Sequence, residues 1–413
     1  MTSLAGTLQD LRVGVAFPWP GIVEREHGSA QRIGLLLDFL RESVGHVAVL
    51  SPGFGPDETH ANVAYVYHQP TAAELAWEQR ARGRFRSMLG AVVRTPLATD
   101  EDLWLWRHLE SRFRPSLARS LLGLVRSSDV VLVSFSFWTG ALARLGRRHG
   151  VAIVATAHDQ LSGQVRSSRL LRWLTRRAEV RALRRADHCF VSSTQDLTTF
   201  ARDGVQAEVL LPGVDLRRGA RPTDVATRAR LRERLALGDG DQVCLFIGAV
   251  HGPNYQAAAA VRTMARAVAA RGHRNVRFVI AGDVIAPEHD GNLTALGRVD
   301  QPVLDELHRM ADLVLVPLTA GTGVSRKTLE AMAFGKAIVA TSVGFRGIPV
   351  ATGTHGIVCD DLAVYPDRII EILADADVRR RLGVGARAAV AAYDYRMVYR
   401  RYLDVIAACR SPS

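Results

Sequence analysis

The sequence predicts an α/β protein of two doubly wound, Rossmann-like parallel-sheet domains with a cleft between them. Short apolar runs of strand length alternate with longer helical stretches in both halves of the chain. A Gly-, Arg- and Pro-rich segment, Ala207 to Asp224, has the composition of a linker between those halves. The later half also contains a strand, loop, helix, strand unit centred on GTGVSRKTLEAMAFGKAIVAT, Gly321 to Thr341. At 413 residues the chain can bury two full cores, and with 48% hydrophobic and 23% charged residues it is neither disordered nor fibrous.

The first strand is LRVGVAF, Leu11 to Phe17, and the loop PWPGIVEREHG leads into a helix from Ser29 to about Ser43. HVAVL, His46 to Leu50, is the second strand, so the chain opens as a parallel βαβ unit. Helices are expected over Thr71 to Leu89 and Glu101 to Val125. Asp129 to Ser136, Val151 to His158 and His188 to Ser193 read as further parallel strands, the last two separated by an arginine-dense helix. Beyond the linker come strands at Gln242 to Gly248, Val276 to Gly282, Leu293 to Val299 and Ala311 to Leu318, with helices at Asn254 to Ala270 and Val303 to Met310. Lys336 to Thr341 and His355 to Asp360 close the series, and the rest is helical. Tyr395, Tyr399, Tyr402, Leu403 and Ile406 recur at helical spacing, giving the last helix an apolar face that needs a partner. The expected division is 1–215 and 216–394, with 395–413 packing back on the first domain.

Ligands of doubly wound sheets bind beyond the carboxyl ends of the strands, and in a two-domain protein the cleft is the expected place. The Gly321 to Glu330 stretch suits a phosphate there. Glycines let an anion approach bare backbone N–H groups, and the helix that follows directs its positive dipole end at the anion. Lys327 and Lys336 are the only lysines among 53 basic residues. A compact ammonium on a flexible stem suits a phosphate pocket at Lys327, whereas Lys336 reads as a solvated turn residue after Gly335. The net charge of +12 and pI near 10.2 point to anionic partners without choosing among nucleotide, membrane and nucleic acid.

Cys189, Cys244, Cys359 and Cys409 are too dispersed for a metal site or a disulfide framework and read as buried thiols of a reducing cytoplasm. The amino terminus lacks a basic head with a long apolar core, so neither a secretion signal nor a membrane span is expected. Asp239-Gly240-Asp241 and Asp375-Ala376-Asp377 are Asp-x-Asp strings, but a turn and a helix start are contexts for capping rather than metal ligation.

With these motifs in order, the chain resembles the retaining GT-B glycosyltransferases of the family-4 type, also called glycosyl transferases group 1. FIGAVHGPNYQAA, FVIAGD, LGRV, ADLVLVP and GTGVSRKTLEAMAFGKAIVAT carry the resemblance. It implies that Glu330 holds the ribose hydroxyls of a nucleotide and that Lys327 faces its diphosphate. It further implies that Thr322, Gly323, Val324, Ser325 and Arg326 meet sugar and phosphate, and that Arg298 and Val299 flank the base. In the first domain Gly28 matches a glycine near the donor phosphate and His158 a histidine beside the transferred sugar. The family's first paired glutamate would fall at Thr322, and its frequent Arg and Lys after the first strand of the second domain are replaced by AVHGPNY, Ala249 to Tyr255. Glu24, Glu26 and His27 are weaker candidates for acceptor contact.

The resemblance implies transfer of a sugar from a UDP- or GDP-type nucleotide sugar, a co-substrate rather than a resident cofactor, with no metal. The acceptor is a glycan, a lipid-linked sugar or a small aglycone. The expected location is cytoplasmic, with peripheral contact to an anionic inner membrane face suggested by the basic amphipathic helix at Arg166 to Arg185. Other readings are a nucleotide-sugar 2-epimerase of the same fold, a silent sugar-binding relative, and a basic nucleic-acid-binding protein. The last has no RNP motif, zinc-finger spacing or basic tail behind it, and no nucleic-acid partner is expected.

Overall fold

A computed structural model of the chain describes residues 8–23, 28–53, 56–93, 101–250 and 252–410. The chain divides into two compact units, Met1–Gly213 with Tyr395–Ser413, and Val214–Asp394.

The first unit runs β1 (Arg12–Ala16), α1 (Gly28–Ser43), β2 (His46–Pro52), β3 (Glu58–His60), β4 (Val63–His68), α2 (Ala72–Val93), α3 (Glu101–Phe113), α4 (Pro115–Arg126), β5 (Val130–Ser134), α5 (Thr139–His149), β6 (Ala152–Ala157), α6 (Arg169–Leu183), β7 (His188–Val191), α7 (Thr194–Arg202) and β8 (Glu208–Val209). Its eight strands form one sheet in the order β3-β4-β2-β1-β5-β6-β7-β8. Val13 of β1 aligns with Val47 on one side and Val130 on the other. Both faces of this central strand are covered, which is why it reads as a continuous apolar run rather than an alternating one.

The sequence expectation differs here in three places. Val63–His68 is a strand, and Glu58–His60 pairs with it antiparallel at the sheet edge, so the sheet is mixed rather than wholly parallel. The helix expected over Glu101 to Val125 is two helices. Arg114 is extended at φ −118°, ψ 93°, because the residue before a proline is driven out of the helical region, and Pro115 then opens the next helix. The last helix is also two, α14 (Tyr395–Val398) and α15 (Arg400–Arg410), numbered after the helices of the second unit. Tyr395, Tyr399, Tyr402, Val405 and Ile406 enter the first unit's core. The Tyr402 hydroxyl lies 2.6 Å from Thr156 Oγ1 on β6.

The second unit runs α8 (Val225–Arg234), β9 (Gln242–Ile247), α9 (Gly252–Ala270), β10 (Val276–Ala281), β11 (Glu288–Asp290), β12 (Leu293–Gly297), α10 (Gln301–Met310), β13 (Leu313–Val316), α11 (Arg326–Ala333), β14 (Ala337–Ala340), β15 (Ile357–Val358), α12 (Tyr365–Ala374) and α13 (Ala376–Ala389). The strand order is β11-β12-β10-β9-β13-β14-β15, parallel except for the β11–β12 pair at one edge. α8 begins where the sequence reads as linker, because Asp224 caps it by accepting from the Ala226 and Thr227 N–H groups.

Two further expectations are corrected. Cys189 and Cys244 are buried, but Cys359 is half-buried after the short edge strand β15 and Cys409 is exposed on the last helix. Lys336 is not a solvated turn residue. Its Nζ donates to the Arg309 carbonyl at 2.8 Å, a cation at the carboxyl end of α10 where the dipole favours one.

Candidate nucleotide-sugar site

In the second unit β9 has β10 on one side and β13 on the other, so the connections from β9 and β13 leave the sheet in opposite directions. That switch point leaves a crevice beyond the carboxyl ends of the two strands. The loop after β13 holds Gly321 at φ 149° and Gly323 at φ 67°, conformations that a Cβ would strain. Arg346 ties this loop from one side: its guanidinium donates to the Thr322 carbonyl and, from Nε, to the Gly323 carbonyl at 2.6 Å. Val324 and Ser325 are buried, and Ser325 is the N-cap of α11 without a side-chain capping bond. The Thr328 hydroxyl donates to the Gly344 carbonyl at 2.6 Å and lies 2.8 Å from Ser325 Oγ, fixing the first turn. Helix N–H groups of that turn lack intrahelical acceptors, which makes it a ready place for an anion.

Lys327 stands on this turn. Its Nζ donates to Asn254 Oδ1 at 2.6 Å and sits 4.6 Å from the Phe246 ring centroid. Asn254 is itself oriented by donating from Nδ2 to the Ala249 carbonyl at 2.8 Å. The Lys327–Asn254 bond therefore joins the first turns of α9 and α11, the helices that follow the two strands flanking the crevice. Burial pushes the Lys327 ammonium down to about 7, against the opposing pull of Glu330. A bound diphosphate favours the ammonium, so nucleotide binding takes up a proton wherever free Lys327 is neutral. The expected result at pH 8 is uptake approaching one proton per UDP bound, falling towards zero at pH 6. Calorimetric titrations in buffers of different ionisation enthalpy measure it, and affinity should weaken as pH rises above 7.

Glu330 is buried one turn further on. Its Oε1 accepts from Arg326 at 2.9 Å and from Arg218 at 3.4 Å. Burial opposes its charge, but Arg326 and Arg218 outweigh burial and hold the carboxyl below its usual range. Arg326, expected at the phosphate, is thus engaged with Glu330. Arg218 comes from a short 3-10 turn just after the first unit ends, and it also grips Asp305 of α10 through Nε at 3.1 Å. Its guanidinium carbon lies 5.7 Å from the Phe334 ring centroid. Neither Arg218 nor Asn254 was expected in the site. Arg218 lies in the segment read as linker and Asn254 opens an expected helix, and only the folded chain brings them to α11.

Arg298, exposed, and Val299, half-buried, follow β12, on the far side of β10 from β9. The structure therefore gathers Thr322 to Arg326, Lys327 and Glu330 in one loop and helix and places Arg298 and Val299 at the end of another strand of the same sheet. Gly28 and His158 belong to the first unit. Gly28 is the exposed first residue of α1. His158 follows β6 and is buried, with Nε2 3.4 Å from Ser134 Oγ and its ring edge-on to Phe135 at 5.0 Å. Burial, with Arg32 adding to it, pushes its pKa well below the usual histidine value, so the imidazole is neutral. At that unit's own switch point, between β1 and β5, half-exposed Trp19 meets Phe135 and Phe137 edge-on at 5.9 and 5.7 Å. This aromatic wall was not foreseen. Glu24, Glu26 and His27 lie outside the described residues.

The Asp-x-Asp strings serve structure. Asp375 accepts from the Asp377 and Val378 N–H groups, Asp241 pairs with Arg277 at 2.8 Å, and Asp239 pairs with Arg232 at 3.2 Å.

Comparison with known proteins agrees with this geometry. Residues 241–375 match the family model for glycosyl transferases group 1, and residues 27–213 match the glycosyl transferase 4-like domain. Between them the two models take in most of the chain, which belongs to the family-4-type glycosyltransferases. A D-inositol 3-phosphate glycosyltransferase of Xylanimonas cellulosilytica is 30% identical over 240 residues, 54% of this chain and 57% of that protein. One of the same name from Segniliparus rotundus is 30% identical over 213 residues, 46% of this chain and 44% of that protein. The chain thus matches about half the length of these curated relatives. Among solved structures, Anabaena HepE in complex with UDP superposes with a TM-score of 0.68 at 16% identity, covering 96% of this chain and 100% of that one. The sucrose-phosphate synthase of Thermosynechococcus elongatus gives 0.68 at 17% identity, with 96% and 100% covered. The fold is GT-B.

Proposed function

We propose that the protein transfers a glycosyl group from a UDP- or GDP-type nucleotide sugar to an acceptor hydroxyl, with retention of anomeric configuration. The observation that carries this reading is the Lys327 ammonium, held by Asn254 across the switch point beside the Gly321–Ser325 loop and one turn from a buried, ionised Glu330. Breaking the anomeric C–O bond leaves negative charge on the departing diphosphate and an oxocarbenium-like carbon, so positive charge must already stand at the phosphates. Lys327 and the N–H groups opening α11 supply it. Glu330 Oε1 is occupied by the two arginines, which leaves Oε2 to accept from the ribose hydroxyls.

In the proposed reaction, the acceptor oxygen bonds to the anomeric carbon on the face the diphosphate leaves. The acceptor proton passes to a departing phosphate oxygen, and nucleoside diphosphate and glycoside are released. His158 of the first unit is neutral and is given no part in the proton transfer. The nucleotide sugar is a co-substrate, and no metal or resident cofactor is assigned a role. That HepE was solved with UDP and with UDP-glucose favours UDP in the first screen. The relatives named for D-inositol 3-phosphate add a polyol phosphate to the acceptor panel of glycans, lipid-linked sugars and small aglycones.

The test is a mass-spectrometric screen of nucleotide sugars with and without that panel, in EDTA, followed by NMR of any glycoside formed. The expected result is nucleoside diphosphate release with a product of the donor's anomeric configuration. An inverted product refutes the stereochemistry. Release of a C2-epimerised sugar with no glycoside, or no turnover of any donor, refutes the transferase reading.

A further inference from the structure

The first unit carries a second concentration of positive charge, separate from Gly28 and His158. α6 presents Arg169, Arg172, Arg177 and Arg181 as exposed residues, and between them Leu170 and Trp173 are 39% and 54% exposed. Arg177 places its guanidinium carbon 5.5 Å from the Trp173 ring centroid. The helix borders an open hollow of ≈ 740 Å³ walled by Trp173, Arg177, Arg181, Arg184, Arg185 and Arg202. Arg112 from α3 and Arg144 and Arg147 from α5 close on the same place. After burial, the influences acting most strongly on Arg185 are Arg181, Arg144, Arg147 and Arg112, all positive.

Two nearby carboxylates do not neutralise this face. Asp203 accepts from Arg176 Nε at 2.7 Å, and buried Glu179 lies 3.5 Å from the same guanidinium. Among the described residues Arg112, Arg144, Arg147, Arg177 and Arg181 form no ion pair, although each is exposed and arginine-rich neighbours repel one another. An anionic surface relieves that repulsion. The exposed Trp and Leu between the arginines decide what kind of surface. An indole settles at the boundary of headgroup and acyl chain, while long arginine side chains reach phosphates beside it. A nucleic-acid backbone offers nothing for Leu170 to enter.

We propose that this face docks on a bilayer rich in anionic phospholipid, with Trp173 and Leu170 entering the headgroup region and the arginines of α3, α5 and α6 meeting lipid phosphates. The face shares no residue with the nucleotide-sugar site, so its failure would leave the transferase reading standing. The test is flotation of the full chain with vesicles of phosphatidylcholine alone and with about 30% phosphatidylglycerol added, as a function of salt. Binding is expected only to the anionic vesicles and is expected to be lost at about 0.5 M NaCl, where screening is nearly complete. Arg147→Glu with Arg181→Glu should weaken it by at least about tenfold, from the contribution of each basic residue at such a surface. Trp173→Ala should weaken it several-fold while keeping its salt dependence. All three side chains are exposed, and circular dichroism and UDP affinity check that the variants stay folded. Equal flotation with neutral vesicles, no flotation, full flotation of the charge-reversed variant, or displacement of the vesicles by an oligonucleotide at equal phosphate would each overturn the proposal.

Discussion

Replacing Lys327 with alanine is expected to lower kcat/KM for the nucleotide sugar by about 100- to 1,000-fold, the loss that follows removal of one preorganised charge-stabilising donor. Among the described residues the ammonium has one hydrogen-bond partner, Asn254, and lies over one ring, Phe246, so the fold should survive the substitution. Lys327→Arg should not restore activity. A planar guanidinium is broader than an ammonium and cannot take the same place between Asn254 Oδ1 and the phenyl face. Steady-state kinetics on the two variants, with thermal unfolding as a control, measures this. Because the charge matters most as the diphosphate departs, kcat should fall with KM changing less.

Arg218→Ala is expected to destabilise the second unit by about 3–5 kcal/mol, since removing one member of a buried ion pair strands its partner's charge. Here two carboxylates are affected. Asp305 keeps Gln301 as a donor at 2.8 Å, and Glu330 keeps Arg326. Donor affinity should fall as well, because Glu330 loses one of the two arginines that keep it ionised and aimed. Combining Arg218→Ala with Asp305→Ala should cost less than the sum of the single losses, since neither group is then left alone. Urea unfolding of the double-mutant cycle measures that coupling. A purely additive cycle would mean that the two side chains do not act as a pair.

The parts of the site that could be read from the sequence are those built by neighbours along the chain. Gly321, Gly323, Ser325, Lys327 and Glu330 lie within ten residues, and their meaning comes from local rules: glycine's conformational freedom, the unpaired N–H groups of a helix start, the dipole at that end. Arg218 and Asn254 obey no such rule. Arg218 reaches Asp305 across 87 residues and Lys327 reaches Asn254 across 73, so only tertiary packing gives them their roles. The linker composition around Arg218 pointed to solvent, yet its side chain is buried.

The fold shows the same division. Central strands such as Val130–Ser134 are buried throughout and apolar up to Ser134 because both faces are covered, and they are plain in the sequence. Val63–His68 was missed although Val and Tyr favour strands, because it lies one strand in from the sheet edge with its middle residues only half-buried and so lacks the continuous apolar run of the central strands. Pro115 should have split the helix expected over Glu101 to Val125, since the residue before proline leaves the helical region. Trp19 and its aromatic neighbours come from loops after separate strands, and no spacing in the sequence announces their meeting.

A crystal structure of the full chain soaked with UDP tests the account most directly. The diphosphate should lie within hydrogen-bonding distance of Lys327 Nζ and of the N–H groups of the Gly323–Ser325 loop, with the ribose hydroxyls on Glu330. Nucleotide bound elsewhere, or a diphosphate with no contact to Lys327 and that loop, would contradict it.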